Sequence, residues 1–274
     1  MSKPHPREVL RGIESRARKR FGQNFLIDER AIGRIVKGAG VKAGDKVVEI
    51  GPGLGALTDA LLSAGADLTA VELDRDLAAY LRVTHPNLTL IEADAAKVNW
   101  AEVCAGGGYR VVSNLPFNVG TQLLIQLSRK PEIFSSLTVM LQKEVVERIT
   151  AQPGCRAYGA LTVQLGARGA ATPILTVLSS AFHPPPKIDA GVVRLDLYAQ
   201  PKVGEVTPAQ FDAVVKVAFS QRRKTIRNSL SANYGREVVD AALSRAEITP
   251  SVRAENLDLA DYVRLASALV NGTN

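Results

Sequence analysis

Val47-Val48-Glu49-Ile50-Gly51-Pro52-Gly53-Leu54-Gly55 reads as an apolar strand that runs into a glycine turn, with a helical pattern directly behind it. Glycines at such a turn reach backbone angles closed to other residues and let a ligand approach the main chain. The spacing is G-x-G-x-G, whereas a dinucleotide fingerprint needs G-x-G-x-x-G, so the turn by itself identifies no ligand. Its surroundings say more. Helical patterns near 56–64, 75–83, 119–129 and 142–150 alternate with apolar runs near 68–72, 88–91, 110–113 and 137–141. That alternation predicts βαβ units, hence an α/β, Rossmann-like, mostly parallel sheet with helices on both faces. Runs at 174–178 and 191–198 have no obvious helix between them and predict a closing antiparallel pair.

Before the turn, Asp28 is placed to cap a helix running to about Gly38, with Ile32, Ile35 and Val36 as its apolar stripe. Residues 1–20 read as a mobile basic arm. After Tyr198 the character changes, and Ala199-Gln200-Pro201-Lys202-Val203-Gly204 reads as a linker. Helical spacing follows near 208–219, 222–232, 236–246 and 258–270, with Thr207-Pro208 as a cap and first-turn proline. The expected organisation is the arm at 1–20, a cofactor-binding α/β domain at 21–199 and a small all-helical domain at 200–274.

The 274 residues are 46% hydrophobic and 22% charged, which is ordinary globular usage. No apolar run reaches the roughly 18 residues of a membrane span. The first 20 residues lack the apolar segment of a secretory signal. Cys104 and Cys155 have no metal-ligand spacing, so no metal site is expected, and a reducing, cytoplasmic setting is. Net charge is +7, of which residues 1–20 carry +5 and residues 220–230 carry +4, leaving −2 for everything else. Confinement to two segments fits phosphate-backbone contacts, although either cluster alone also reads as a solvated surface. Glu8 and Glu14 argue against an organelle transit peptide.

Four strand ends carry candidate groups. Glu72 stands twenty-one residues after Gly51, where an acid meets ribose hydroxyls in nucleotide-binding α/β folds. Asp94 follows the third strand and can accept a hydrogen bond from an adenine amino group. Asn114-Leu115-Pro116-Phe117 directly follows the run 110–113. It brings an amide oxygen, outward carbonyls, a rigid proline and a flat ring to one edge, a set suited to an exocyclic amine on a planar base. With the glycine turn, these ends favour S-adenosylmethionine over NAD, because that cofactor has no pyrophosphate to seat on a helix N-terminus. Singly, Glu72 and Asp94 also read as surface acids, and Phe117 and Phe182 as core aromatics. His5, His85 and His183 lack metal or triad spacing and read as structural or surface residues.

Over essentially its whole length the chain resembles the ribosomal RNA small-subunit adenine N6-dimethyltransferase family. The matching segments are Phe21-Gly22-Gln23-Asn24-Phe25-Leu26, Val48-Glu49-Ile50-Gly51-Pro52-Gly53, Asn114-Leu115-Pro116-Phe117 and Phe182-His183-Pro184-Pro185-Pro186-Lys187-Ile188-Asp189. Ser220-Gln221-Arg222-Arg223-Lys224-Thr225 looks like the family's basic helix. The resemblance implies a class I methyltransferase sheet with S-adenosylmethionine held at Asn24, Leu26, Gly51, Gly53, Glu72, Asp94 and Asn114. It implies two methyl transfers to N6 of each of two neighbouring adenosines near the 3′ end of small-subunit (16S) rRNA, in ribosome maturation. Asn114, Leu115, Pro116 and Phe117 would form the catalytic edge, with Phe182 as a second wall for the base. Lys187, Arg222, Arg223, Lys224 and Arg227 would meet the RNA backbone of an immature 30S-type subunit, with the enzyme a monomer away from membranes. The family usually carries tyrosine where this chain has Phe117, so the phenol oxygen is dispensable or replaced while the ring is kept. Three rivals stay open: a large-subunit rRNA resistance methyltransferase, a DNA adenine methyltransferase, whose usual proline Leu115 replaces, and a non-catalytic assembly or transcription factor.

Overall fold

The computed structural model describes residues 24–221 and 223–272, so the basic arm and Arg222 lie outside the described residues. The first helix, α1 (Glu29–Ala39), begins where Asp28 Oδ1 accepts the amides of Arg30 at 2.9 Å and Ala31 at 3.0 Å. It turns Ile32 and Ile35 into the core and stops at Gly40, whose φ of 65° ends the helix in the left-handed region. The strands behind it are β2 (Lys46–Ile50), β3 (Asp67–Glu72), β4 (Thr89–Glu92), β5 (Tyr109–Asn114) and β6 (Phe134–Gln142). The interior ones are largely buried, as in a parallel sheet, while the edge strand β4 has no fully buried residue. Helices α2 (Ala56–Ser63) and α3 (Arg75–Thr84) connect β2, β3 and β4, while α4 (Trp100–Val103) and α5 (Gly120–Ser128) follow β4 and β5.

After α6 (Lys143–Ile149) and α7 (Ala160–Gly166), β7 (Gly169–Val177) and β9 (Ala190–Leu197) complete a seven-stranded sheet in the order β4-β3-β2-β5-β6-β9-β7. The pairings β2–β3, β3–β4, β2–β5 and β5–β6 are parallel, and β6–β9 is antiparallel. The late strand pair is therefore adjacent, as expected. A second sheet was not anticipated: β1 (Phe25–Leu26) pairs antiparallel with β8 (Phe182–His183), setting Leu26 against Phe182.

Strand order reverses at β2, whose neighbours are β3 and β5. The β2–β5 ladder runs through Val47↔Arg110 and Val48↔Val111. Just beyond, the buried Ser113 hydroxyl accepts the Ile50 N–H at 2.8 Å. A side chain thus takes the bond where the two carboxyl ends begin to part, and ligands enter open α/β sheets at such a point.

The chain divides into two compact units. One takes in the chain through Val146 together with Thr172–Leu197, and the other Glu147–Ala171 together with the chain from Tyr198. This is not the single cut near residue 199 read from composition: Tyr158 and Val163 lie in the core of the helical unit with Phe211, Val215, Leu243 and Tyr262. Its later helices are α8 (Pro208–Ala218), α9 (Ile226–Tyr234), α10 (Arg236–Arg245) and α11 (Leu259–Asn271). Thr207 and Gln210 form a capping box at α8, and Asp258 and Asp261 another at α11. The helix expected from about 222 starts at Ile226 instead, because the Thr225 hydroxyl caps it by accepting the Asn228 amide.

Candidate functional site

A cavity of about 1320 Å³ opens over the carboxyl ends of β2, β3 and β5. Its floor follows from strand alternation. Val47, Leu68 and Val112 share one apolar cluster with Leu57 and Leu61 of α2, so Glu49, Glu72 and Asn114, each an even number of residues further on, face the same side.

The turn above them uses two of its glycines in ways other residues cannot. At Gly51 φ is +68°, and a Cβ there would have only the Asn114 carbonyl oxygen nearby, at 4.0 Å, and would otherwise stand in open cavity. At Gly53 φ is +59°, and a Cβ would press on the Phe25 ring at 3.1 Å. Glu72 holds this turn: its carboxylate accepts the Gly53 amide at 3.1 Å and the Asp74 amide at 2.9 Å. Each carboxylate oxygen keeps a second lone pair. Burial raises the titration of Glu72, while those two amides oppose the shift.

Asn114 ends β5, and its Nδ2 donates to the Asn24 carbonyl at 3.3 Å. That bond orients the amide and leaves Oδ1 as its accepting end. In the turn that follows, the Pro116 carbonyl already receives the amides of Val119 at 3.2 Å and Gly120 at 2.8 Å. Among the described residues no donor reaches the Leu115 carbonyl, while the Leu115 side chain is fully buried. Phe117 lines the cavity half-buried, against the core cluster. Phe182 also lines it but is only 3% exposed, so most of that ring is committed to core packing. Asn24 and Leu26 line the cavity from the β1 side. Asp94 stands at the rim and accepts the Ala96 amide at 3.0 Å. The loop it begins is fixed by Gln126 Nε2, which donates to the Ala96 carbonyl at 3.0 Å.

The expected cofactor residues therefore line one cavity, together with the Asn114–Phe117 edge. The expected RNA contacts among the described residues lie elsewhere. Lys187 is exposed in the proline-rich loop, and Arg223 and Lys224 are exposed ahead of α9. Arg227 is held in a two-pronged ion pair by Asp240, which engages its guanidinium within the protein. Among the described residues no cluster of His, Cys, Asp and Glu could hold a metal ion, and no helix is long and apolar enough to cross a membrane.

One lining residue escaped the sequence reading. Glu49 is 1% exposed and accepts the Thr58 hydroxyl at 2.6 Å. Burial pushes its carboxyl up to about 8, opposed by the Thr58 hydroxyl and reinforced by Glu72. An acid inside an otherwise apolar strand was the available signal.

The cavity has an acidic lining inside a basic protein. Glu29, Glu49, Asp59, Glu72, Asp74 and Asp94 line it, with no Lys or Arg among the described lining residues. This donor set fits a cationic nucleoside such as S-adenosylmethionine and disfavours a pyrophosphate. A bare Gly51 beside the open cavity, and the Glu72 carboxylate oxygens with lone pairs to spare, fit the same group.

The ribosomal RNA adenine dimethylase family matches residues 14–270. The chain is 44% identical to the ribosomal RNA small subunit methyltransferase A of Acinetobacter baylyi, covering 93% of both chains. It is likewise 44% identical to that of Phenylobacterium zucineum, covering 97% of this chain and 92% of the other. Among solved structures, a dimethyladenosine transferase from Plasmodium falciparum superimposes with a TM-score of 0.77 at 23% identity, over 91% of this chain and 98% of the other. The 23S rRNA methyltransferase ErmE does so at 0.70 and 26%, over 90% and 100%. Of these two structures one is named for 23S rRNA and the other for no particular RNA, so the fold alone does not select the RNA.

Proposed function

The chain belongs to the ribosomal RNA adenine dimethylase family, and on that premise we propose that it uses S-adenosylmethionine to dimethylate N6 of two adjacent adenosines near the 3′ end of small-subunit rRNA. The observation that carries this reading is the Asn114 edge: an oriented amide oxygen and an unclaimed Leu115 carbonyl stand over a cavity rich in carboxylates.

Adenine N6 is a poor nucleophile because its lone pair is delocalised into the ring. Two acceptors on its N–H groups draw the nitrogen toward tetrahedral geometry and localise the pair. Asn114 Oδ1 is the first acceptor and the Leu115 carbonyl the second, since the Pro116 carbonyl is occupied by Val119 and Gly120. When bound, the sulfonium supplies an activated methyl group and leaves as a neutral thioether. The protein's task is then mainly to align the reactants, and no strong base is needed before attack. The methylated nitrogen sheds its proton after the N–C bond has formed. The base must leave its stack to enter. Phe117 is the ring we assign to hold it, worth about 1–3 kcal/mol of stacking. Phe182, largely covered, backs the pocket from the β8 side.

Glu72 serves the ribose hydroxyls while fixing the glycine turn, and Asp94 the adenine of the cofactor. Lys187, Arg223 and Lys224, with the residues 1–20 segment and Arg222, supply cations for the RNA backbone. The helical unit is the RNA-binding part in this reading. The substrate is an immature 30S-type particle in the cytoplasm, and the enzyme works as a monomer.

The test uses immature small subunits and labelled S-adenosylmethionine. Incorporation should be followed by reverse-transcriptase stops at two adjacent adenosines, because dimethyladenine does not pair normally. Stops in large-subunit rRNA instead would overturn the assignment.

A further inference from the structure

Glu49 has no task in the scheme above, yet its surroundings are unusual. It lies one pleat below both Glu72 and Asn114 and between their strands: Glu49 pairs with Ala70 of β3, and Val48 with Val111 of β5. It is fully buried, with a neutral hydroxyl, Thr58, as its hydrogen-bond partner. Among the described residues, the ionisable groups that line the cavity from neighbouring elements are acidic, with two exceptions. Glu72 comes from β3, Asp74 from the start of α3, Asp59 from α2, Glu29 from α1 and Asp94 from the loop after β4. The exceptions are the Tyr80 phenol on α3 and His85, which faces Asp59 at 3.0 Å. A carboxylate sunk among carboxylates, with no Lys or Arg among the described lining residues, is electrostatically incomplete until a cation arrives.

We propose that Glu49 is the counter-charge for the sulfonium of the donor: it holds a proton in the empty site, releases it to solvent when the cation binds, and regains one after methyl transfer has left a neutral thioether. This rests on the reading of the cavity as an S-adenosylmethionine site. Its consequence is selectivity. The charged donor gains an ion pair that S-adenosylhomocysteine cannot make, so the by-product is held less tightly and leaves. Burial, which already pushes this carboxyl up, keeps the proton on in the empty site at neutral pH. Donor affinity therefore rises with pH below about 8, by up to roughly tenfold per unit, while by-product affinity stays nearly flat.

Titration calorimetry at about pH 6.5 tests this, since the α-amino groups of both ligands are then protonated. Each ligand is titrated in two buffers of different ionisation enthalpy, and the difference in heat counts protons. The wild type should release more than about half a proton with S-adenosylmethionine and close to none with S-adenosylhomocysteine. Glu49→Gln, which keeps an oxygen for the Thr58 hydroxyl, should abolish the release with the donor. Equal proton counts for the two ligands, or for wild type and Glu49→Gln, would overturn the proposal while leaving the cofactor reading intact. Failure of the wild type to bind the donor at all would overturn both. The two-ligand comparison on the wild type stands even if the variant folds poorly.

Discussion

Glu49→Gln should also change how the stability of the ligand-free protein depends on pH. In the folded chain the carboxyl titrates at about 8, against 4.5 for an unburied glutamate. Between those values the folded state holds a proton that the unfolded state has released. The group's contribution is thus complete below the unfolded value and is lost as pH rises toward the folded one. The loss is about 1.4 kcal/mol per pH unit while one proton separates the states. From about pH 5.5 to about pH 7.5 it amounts to about 2–3 kcal/mol from this residue alone, since the folded carboxyl is partly ionised by the upper limit. Glutamine does not titrate, so the variant should lack that decline, and the two stability curves should diverge by this amount. Glu72, raised by its own burial, is present in both proteins and largely cancels in the difference. Trp100 is the chain's single tryptophan, lies in the same unit and is 1% exposed, so its fluorescence reports urea unfolding of this unit. Parallel curves would mean that Glu49 is already ionised in the folded protein across this range. Both this prediction and the proton-release argument would then fall.

Asn114→Ala should lower kcat by about 10²–10³-fold, as for loss of one transition-state hydrogen-bonding group. Its single 3.3 Å bond to the Asn24 carbonyl contributes only about 1 kcal/mol to stability, so a near-normal kcat in the folded variant would refute its role as acceptor. Phe211→Ala empties a fully buried site in the helical unit and should cost about 3–5 kcal/mol in denaturant unfolding followed by circular dichroism; a loss below 1 kcal/mol would contradict the packing described. Removing residues 1–20 should weaken RNA affinity and flatten its dependence on salt, the log–log slope falling by roughly 0.7–0.9 for each phosphate the arm neutralises. An unchanged slope would exclude the arm from the RNA backbone.

Much of this architecture is legible in the chain because local signals agree with the tertiary outcome. Asp28 and Gly40 bracket α1 through hydrogen bonds confined to their own turns. The strand at 46–50 and its glycine turn stand out because a buried parallel strand has no polar face to interrupt it. The β1–β8 pair is different: two residues bond to two others more than 150 positions away, and so short a strand has no periodicity to read. Helix α7, Ala160–Gly166, is equally silent in the sequence; four of its seven residues are buried, so the polar stripe that marks a surface helix is absent. At the site, Glu72, Asp94 and Asn114 are readable because each stands at or just past a strand end. Glu49 is not, because it lies within the strand and its meaning depends on which acids face it. Arg227 reads as an available cation because Asp240 is on the next helix, and sequence spacing does not show that the two meet.

The excursion of residues 147–171 into the helical unit bears on how the protein is made. During synthesis these residues emerge before the sheet's own last strand, β9, and long before α8 and α11. Tyr158 and Val163 must therefore wait, uncovered, for Phe211 and Tyr262. The sheet can assemble on the ribosome as soon as Leu197 is clear, but it carries a partly helical apolar segment that nothing yet shields. A fragment ended at residue 199 would be trapped in that state and prone to aggregate. To obtain the helical unit alone, one would have to splice Ala171 to Tyr198, because no contiguous stretch of this chain contains it without the intervening strands.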